Sequence, residues 1–442
     1  MRKNLVGNTK NNLTNNTKSN FGVTHWAVLL LLMALGYFEN GSMNDGLNTF
    51  VGVFAERYGW SSGMLLSFST YAGWISIIGI VLYGQLTKKK GARVTAIVAL
   101  ATAIAGMFLW SRSVTPAMYF LAVALCSCSA SAIMIIRDTT TNNWFPTKKG
   151  LAMGWVTMGP LLATASILYI INWGGKAFGF HGYFDVIAVA FCVLLVFVIF
   201  WFRDHPEDKG CYPDNDRSVS KEQVMELHRQ GLQYKKTSPW TVKKLLRTRQ
   251  VWQIGIGIGG INFLIGAAVI SQIIPTVMSY GYEKSQAMVM MTVLALCALP
   301  MSYLFGWLDT KFGTKTAVIL FFIWTFAALL FMALPGKWTV FVSVFMIGGF
   351  IGGSGNMMGA MTNTVFGRYD FANAFAVIYP VCVVVKSCGY ALTGIIKTAT
   401  GSYRAVYIVL MVLTAVAVFN AVFLDDRLLG RNGLDLDGKG NE

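Results

Sequence analysis

The chain has 442 residues, of which 55% are hydrophobic and 13% are charged. Average soluble domains carry about 25% charged residues, so this composition excludes an ordinary soluble protein. The formal net charge of +16 would suit a nucleic-acid partner, but no module of aromatic and basic residues interrupts the apolar pattern, and no nucleic acid is expected. The partner of most of the chain is therefore predicted to be a lipid bilayer.

Twelve largely apolar stretches follow one another along the chain. Each has roughly 20 residues or more, enough for a helix to cross a hydrocarbon core of about 30 Å. They cover approximately residues 25–53, 62–86, 93–113, 116–141, 149–173, 182–203, 250–279, 285–308, 314–334, 338–363, 371–397 and 403–424. The first 24 residues are polar and lack the apolar core of a signal peptide.

Basic residues are distributed unevenly between the predicted loops. Most of the 36 Lys and Arg fall on the side that holds the N-terminus, and only Arg137 and Lys386 lie within spans away from their ends. The positive-inside rule then predicts a multi-pass protein of the cytoplasmic (plasma) membrane with both termini in the cytoplasm. The seven cysteines lack zinc-site spacing, so no metal or other cofactor is expected. We expect a monomer.

The longest hydrophilic interruption divides the spans six and six. The predicted organisation is a cytoplasmic tail (1–24), a six-helix bundle (25–203), a cytoplasmic linker (204–249), a second six-helix bundle (250–424) and a second tail (425–442). Within the linker, Ser220 and Gln223 predict the start of one helix. Ser238, followed by Pro239 and Trp240, predicts the start of a second.

The two halves repeat between their second and third spans. Residues 84–93 (GQLTKKKGAR) align without gaps to residues 306–315 (GWLDTKFGTK), at an offset of about half the chain. Many transporters are built from such repeats, with the substrate site near the bilayer midplane between halves that rock against each other.

This pair of loops resembles the signature of the major facilitator superfamily. The resemblance implies an all-α membrane protein with twelve transmembrane helices in two pseudo-symmetric halves, and not an enzyme. Its glycines permit a tight cytoplasmic turn, and its basic residues pair with helix ends. The first copy departs from the family pattern, because Thr87 and Lys88 stand where an Asp is usual. The residues expected to act in gating are Gly84, Gly91, Arg93, Gly306, Asp309, Lys311 and Gly313.

A narrower resemblance rests on the loop after the fourth span. Residues 142–154 (NNWFPTKKGLAMG) are similar to a segment of the oxalate/formate antiporter and monocarboxylate transporter families, and residues 240–252 also look like that family's entry into span 7. The resemblance covers about residues 25–425. It implies transport of small organic anions, commonly carboxylates.

Two cations lie within predicted spans, where an ionisable group costs at least about 2.5 to 3.5 kcal/mol and is a functional candidate. Lys386 lies near the middle of span 11, and its placement resembles that of the family's substrate-binding cation. An internal ion pair or a lysine that reaches the interface is the alternative. Arg137, near the end of span 4, suits a carboxylate, because its planar fork donates two parallel hydrogen bonds. Together with Asp138 it could equally form a gate between helices.

Three carboxyl groups are candidates for proton coupling, in the order Glu39, Asp45 and Asp138. Glu39 and Asp45 lie in span 1, where 100° per residue places them on different faces. The glycines and asparagines between and after them predict a weakened or bent helix. In a low dielectric a carboxyl group holds its proton, and a nearby cation reverses that preference. The alternative role for Glu39 is to neutralise Lys386 or Arg137.

Aromatic residues could complete the binding site. Tyr37, Trp155 and Tyr379 are candidate substrate contacts, although packing or an interfacial position is the common role of such residues. The chain departs from its relatives in span 8, where residues 288–306 contain no charge. Methionine occupies this region instead, so the pocket could bind a larger or less charged anion.

The leading hypothesis is a proton-coupled symporter of a small organic anion, with the proton as coupling ion. An anion exchanger without a proton is an alternative. A second alternative is an organic-cation transporter in which Glu39, Asp45 and aromatic residues form the site. A third is a sensor that binds without transporting.

Overall fold

The computed structural model of the chain describes residues 20–218, 220–334 and 336–430. Most of the predicted tails, 1–24 and 425–442, lies outside these ranges, and within them no β-strand occurs. The α-helices are, in chain order, α1 (Val23–Asn40), α2 (Leu47–Tyr58), α3 (Ser62–Ser111), α4 (Pro116–Trp144), α5 (Lys149–Val156), α6 (Met158–Phe178), α7 (Gly182–Phe200), α8 (Lys221–Thr237), α9 (Val242–Arg247), α10 (Arg249–Trp252), α11 (Ile261–Ser279), α12 (Lys284–Phe312), α13 (Thr314–Ala333), α14 (Lys337–Thr400) and α15 (Tyr403–Val422). Single π-helical runs, Gly41–Asp45 and Gln253–Gly260, join α1 to α2 and α10 to α11.

Ten helical stretches among the described residues are long and apolar enough to cross a membrane. Two of them, α3 and α14, have 50 and 64 residues and would be about 75 and about 95 Å long if straight, too long for one crossing. Each is broken at a glycine: Gly91 has φ 87° and ψ 172°, and Gly367 has φ 69° and ψ 175°. Positive φ is accessible to glycine and costly for other residues. With α3 and α14 counted as two crossings each, the architecture is consistent with the predicted twelve.

The internal repeat is visible in the backbone. Gly313, between α12 and α13, has φ 85° and ψ 154°, close to the conformation of Gly91. These are corresponding glycines of the repeated segment. Both copies therefore turn the chain in the same way from one crossing to the next.

The helices form two compact units. The N-terminal unit comprises Val23–Trp144 and Met158–Cys211, and the C-terminal unit comprises Phe145–Thr157 together with the chain from Tyr212 onward. In this arrangement α5 and most of the linker pack with the C-terminal unit. The predicted bundles, 25–203 and 250–424, follow hydropathy alone and so place α5 in the first half.

Each unit has its own aromatic core. In the N-terminal unit, Phe50 stacks on Phe184 with ring centres 4.6 Å apart, and Tyr119 meets Phe54 edge to face at 5.0 Å. All four rings are fully buried. In the C-terminal unit the corresponding cluster is Phe305, Phe321, Phe322, Trp324 and Phe350. Such rings bury large apolar areas and fix the helices around them.

Glycine-rich runs allow helix backbones to approach closely. At Gly352 of α14, a Cβ would meet the carbonyl of Ala298 in α12, and at Gly348 it would meet the carbonyl of Leu294. The π-helical run after α10 packs in the same way, since Gly259 lies against Cys382. Small residues at these places permit contacts that larger side chains would block.

The linker contains two helices. Ser220 caps α8, because its hydroxyl accepts a hydrogen bond from the backbone amide of Gln223. The predicted start of the second helix at Ser238 is wrong. This helix, α9, begins at Val242 with Thr241 as its cap, because the hydroxyl of Ser238 is already engaged with the carboxylate of Asp370.

Candidate functional site

The first crossing is interrupted at its polar centre. The backbone amide of Gly46 donates to the carbonyl of Gly41 at 2.7 Å, which closes the π-helical turn. At both glycines an added Cβ would collide with side chains of α6, Ile167 at Gly41 and Ile171 at Gly46. The predicted weakening of this helix is confirmed, and the turn brings α1 and α6 into close contact.

Asp45, at the end of this turn, is held by polar neighbours. Its carboxylate accepts hydrogen bonds from the amide of Asn40 at 2.8 Å and from the hydroxyl of Thr164 at 3.3 and 3.2 Å. The side-chain amide of Asn44 in turn donates to the Oδ1 atom of Asn40 at 2.8 Å. The half-buried Asp45 is therefore fixed between α1 and α6.

Glu39 lies in a different environment from Asp45. Together with Ser42 it lines a cavity of about 10 Å³ whose other walls include Ser129 of α4 and Phe191 of α7. That volume corresponds to about one water molecule. The two carboxylates thus occupy separate surroundings within the N-terminal unit, as their angular separation on the helix suggests.

Arg137 and Asp138 are buried in α4, with 7% and 1% of their surfaces exposed. The guanidinium of Arg137 lies over Gly36 of α1: a Cβ there would be 3.0 Å from its Nη1 atom and 3.1 Å from Pro160 of α6. Gly36 is three residues before Glu39, so the cation reaches the turn of α1 that precedes this carboxylate. Within the described residues, the carboxylate oxygens of Asp138 make no hydrogen bond.

Tyr37 contacts α6 from the same helix. Its hydroxyl lies 2.8 Å from the hydroxyl of Ser166, and the residue is half-buried. The N-terminal unit therefore brings Arg137, Tyr37 and Asp45 onto the surfaces where α1, α4 and α6 meet.

Lys386 and Tyr379 share one face of α14. They are seven residues apart, which is about two turns, or about 10 Å along the axis. Lys386 is exposed, whereas Tyr379 is buried and stacks on Phe375 with ring centres 5.5 Å apart. Cys382, between them in sequence, is buried with its thiol 3.1 Å from the carbonyl of Gly255.

Trp155 contacts α12 in the C-terminal unit. Its ring meets Tyr303 edge to face with centres 5.5 Å apart. Next to this pair lies a polar cluster that sequence reasoning missed: Thr157 bonds to Ser302 and Asn356, and Asn356 also donates to the Ser302 carbonyl at 3.2 Å. The three residues come from α12, α14 and the residue after α5, and no local pattern connects them.

Among the gating candidates of the first repeat copy, Arg93 binds the end of a neighbouring helix. Gly84 is buried. The backbone amide of Arg93 donates to Asp204 at 2.6 Å, and its guanidinium donates to the carbonyl of Ile199, one residue before the end of α7. A Cβ at Gly91 would collide with the Asp204 carboxylate. The predicted pairing of a basic residue with a helix end is thus present at Arg93.

The second copy packs against the start of α5. At Gly306 an added Cβ would meet the backbone of Gly150. Asp309 is buried beside Gly150 and interacts electrostatically with Lys149. Lys311 is exposed in the last turn of α12, and its ammonium lies 4.4 Å from the ring centre of Trp307.

Comparison with known proteins places this geometry in a family. The model of the Major Facilitator Superfamily matches residues 30–290 and 256–435. The oxalate:formate antiporter of Oxalobacter formigenes is 22% identical over 349 residues, 78% of either chain.

Solved structures show the same fold. The proton:xylose symporter XylE superposes with a TM-score of 0.73 at 11% identity, over 91% of this chain and 96% of that one. The fucose:proton symporter FucP of E. coli gives 0.70 at 12% identity, over 90% and 99%. The human organic anion transporter TETRAN gives 0.68 at 12% identity, over 89% and 98%.

The family model spans most of the chain, and the solved structures share its helical architecture along almost its whole length. The molecule is accordingly a multi-pass membrane transporter and not an enzyme. The chain belongs to the major facilitator superfamily.

Proposed function

We propose that this transporter moves a small organic anion of the monocarboxylate type by alternating access, in symport with a proton. The similarity to an oxalate:formate antiporter supports an anionic substrate. The positive-inside distribution of Lys and Arg supports a location in the cytoplasmic membrane with both termini in the cytoplasm.

The observation that carries the proposal is the position of Lys386. It is an exposed lysine near the middle of the crossing that follows Gly367, on the same helix face as Tyr379. An ionisable residue at such depth is a functional candidate by default. The lysine ammonium is complementary in charge to the carboxylate of such a substrate.

Arg137 provides a second cation in the N-terminal unit. Its guanidinium is buried against Gly36 and Pro160, where a planar fork could hold a carboxylate through two parallel bonds. We assign Arg137 the secondary substrate role and Lys386 the primary one.

Proton coupling is assigned to the carboxylates of the first crossing. Glu39 lines a cavity of about 10 Å³, and Asp45 is held by Asn40 and Thr164. We rank Glu39 first, then Asp45, then the buried Asp138. The competing mode is anion exchange without a proton. The similarity to an oxalate:formate antiporter supports this mode.

A ligand screen tests the substrate class. The purified chain would be heated with formate, acetate, lactate and oxalate, with choline as an organic cation, and with xylose and fucose as sugars. A ligand at 100 times its Kd stabilises a protein by about 2.7 kcal/mol, which raises its melting point. We expect stabilisation by monocarboxylates only. Stabilisation by choline alone would favour an organic-cation transporter, and stabilisation by sugars alone would also overturn the proposal.

Transport in proteoliposomes distinguishes the modes. Uptake of the stabilising acid would be measured with and without an inward proton gradient, and with and without a trans anion. Symport predicts acceleration by the gradient, whereas exchange predicts dependence on the trans anion alone. Binding without any uptake under either condition would indicate a sensor.

A further inference from the structure

The short helix α9, which belongs to the linker, carries a surface that the transport reaction does not use. Beginning at Val242 and ending at Arg247, it packs on the protein through Leu245, which is 1% exposed. The preceding Trp240 is also buried, with its ring edge-on to Phe366 at 5.2 Å. The helix is thus anchored beside Gly367, where α14 breaks.

The remaining surface of α9 is divided into an apolar and a basic sector. At 100° per residue, Val242 and Leu246 lie about 60° and about 100° round the helix from Leu245. They are 45% and 43% exposed. Lys243 and Arg247 lie about 160° and about 200° round, opposite the protein contact, and both are exposed.

The basic character of this segment is uncompensated in the sequence. Lys244 and Arg249 are exposed as well, and no Asp or Glu occurs from residue 227 to residue 282. The ammonium of Lys244 lies 4.4 Å from the ring centre of Trp240, which keeps it close to the body of the helix. Four cations therefore cluster within seven residues.

Covalent connection fixes where this surface lies. After Thr248, the chain enters the membrane-crossing stretch Arg249–Ser279. One connecting residue spans only about 3.5 Å when extended. Trp252, on the first turn of that stretch, is 42% exposed and donates from its indole nitrogen to the Leu246 carbonyl at 2.8 Å. This bond ties α9 to the start of the crossing.

We propose that the face formed by Val242, Lys243, Lys244, Leu246, Arg247 and Arg249 binds anionic phospholipids of the adjacent leaflet. Basic residues immediately next to a crossing attract anionic headgroups. Exposed apolar side chains beside them suit the boundary between headgroups and acyl chains. A phospholipid surface offers an anionic headgroup for the basic residues and an apolar layer beside it for Val242 and Leu246. A free anion offers only the negative charge.

Lipid binding to the purified full-length chain tests the proposal. Short-chain phosphatidylglycerol and phosphatidylcholine would be titrated in detergent, and bound lipid measured by native mass spectrometry. The variant K243Q/K244Q/R247Q/R249Q is expected to weaken phosphatidylglycerol binding at least tenfold and to leave phosphatidylcholine binding unchanged. The matched control R217Q/K221Q/R229Q/K236Q removes the same charge from exposed linker residues that are not next to a crossing and should stay within twofold of the natural chain.

Two further arms separate the sources of the anion. The variant V242S/L246S, which keeps every charge, should weaken phosphatidylglycerol binding severalfold, and glycerol 1-phosphate should bind the natural chain far more weakly than the lipid. Equal losses in both four-residue variants would overturn the proposal, as would equal affinity for glycerol 1-phosphate. If the four-residue variant does not fold, K243Q/R247Q provides the same comparison against K221Q/R229Q.

Discussion

Asp214 accepts two hydrogen bonds from Thr147, one from its backbone amide at 3.0 Å and one from its hydroxyl at 2.8 Å. The backbone amide of Lys148 adds a third at 2.8 Å. Asp214 is 2% exposed and has φ 55°, in the left-handed region that non-glycine residues rarely adopt. A linker residue thus caps the segment from which α5 begins.

Replacing Asp214 with Ala should destabilise the C-terminal unit. Three donors would lose their acceptor. Those of the exposed Thr147 can turn to water, but the backbone amide of the buried Lys148 would be left unsatisfied, which typically costs about 1–3 kcal/mol. The melting temperature in detergent would fall by several degrees. The control is Asp216→Ala, at the end of the same turn, which should change little. Equal effects of the two variants would show that the carboxylate of Asp214 has no special role.

The stability contributed by Asp214 should depend on pH. Burial raises the pKa of Asp214 above its ordinary value, and the hydrogen bonds from Thr147 and Lys148 oppose that shift in part. Between the ordinary value of about 3.9 and the raised pKa, the folded chain holds a proton that the unfolded chain has lost. The contribution of this proton to the free energy of unfolding is fully present below a pH of about 3.9 and is lost as the pH rises through the raised pKa. The melting temperature of the natural chain minus that of Asp214→Asn should therefore fall as pH rises from about 3.9 through the raised pKa. If this difference rises with pH instead, the pKa of Asp214 is lowered by folding and the prediction is wrong.

The two repeat glycines should differ in their tolerance of Ala. Gly91 and Gly313 both have positive φ, so Ala brings backbone strain of about 1–3 kcal/mol at either place. At Gly91 the new Cβ would also collide with Asp204, whereas at Gly313 nothing lies within 4 Å. Thermal unfolding should rank Gly91→Ala below Gly313→Ala. Gly73→Ala, in an open helical position of α3, should be neutral or stabilising. If all three melt alike, the glycine turns are not constrained as described.

Gly36 should control the position of Arg137. An Ala Cβ at this residue would be 3.0 Å from the guanidinium and 3.1 Å from Pro160, so one of these groups must move. We expect Gly36→Ala to raise the KM for the acid about tenfold, which is about 1.4 kcal/mol of binding. Gly52→Ala, where nothing lies within 4 Å, is the control for a glycine replacement in α2. An unchanged KM in Gly36→Ala would remove Arg137 from the substrate site.

Periodic and composition-based features could be predicted from the sequence. The apolar runs are long enough to cross a membrane, and the glycine and asparagine content near Asp45 predicts the interruption of the first crossing, because these residues weaken helices locally. The turns at Gly91 and Gly313 are predicted by the repeated segment and its resemblance to the superfamily signature, whose glycines permit a tight turn.

Contacts between distant residues could not be predicted in this way. Nothing in the linker sequence indicates that Asp214 meets Thr147, and the cluster of Thr157, Ser302 and Asn356 joins three separate segments. Ser238 was misread as a helix start because its partner, Asp370, is 132 residues away. Tertiary hydrogen bonds of this kind override local capping preferences.

The most direct test of the central claim is uptake of a radiolabelled monocarboxylate by proteoliposomes containing either the natural chain or Lys386→Gln. Lys397→Gln is the matched control, because Lys397 lies in the last turn of the same helix and its ammonium donates to the carbonyl of Gly401. We expect Lys386→Gln to lower uptake at subsaturating substrate at least tenfold, with Lys397→Gln within twofold of the natural chain. Unimpaired uptake by Lys386→Gln would contradict the assignment of Lys386 as the substrate-binding cation.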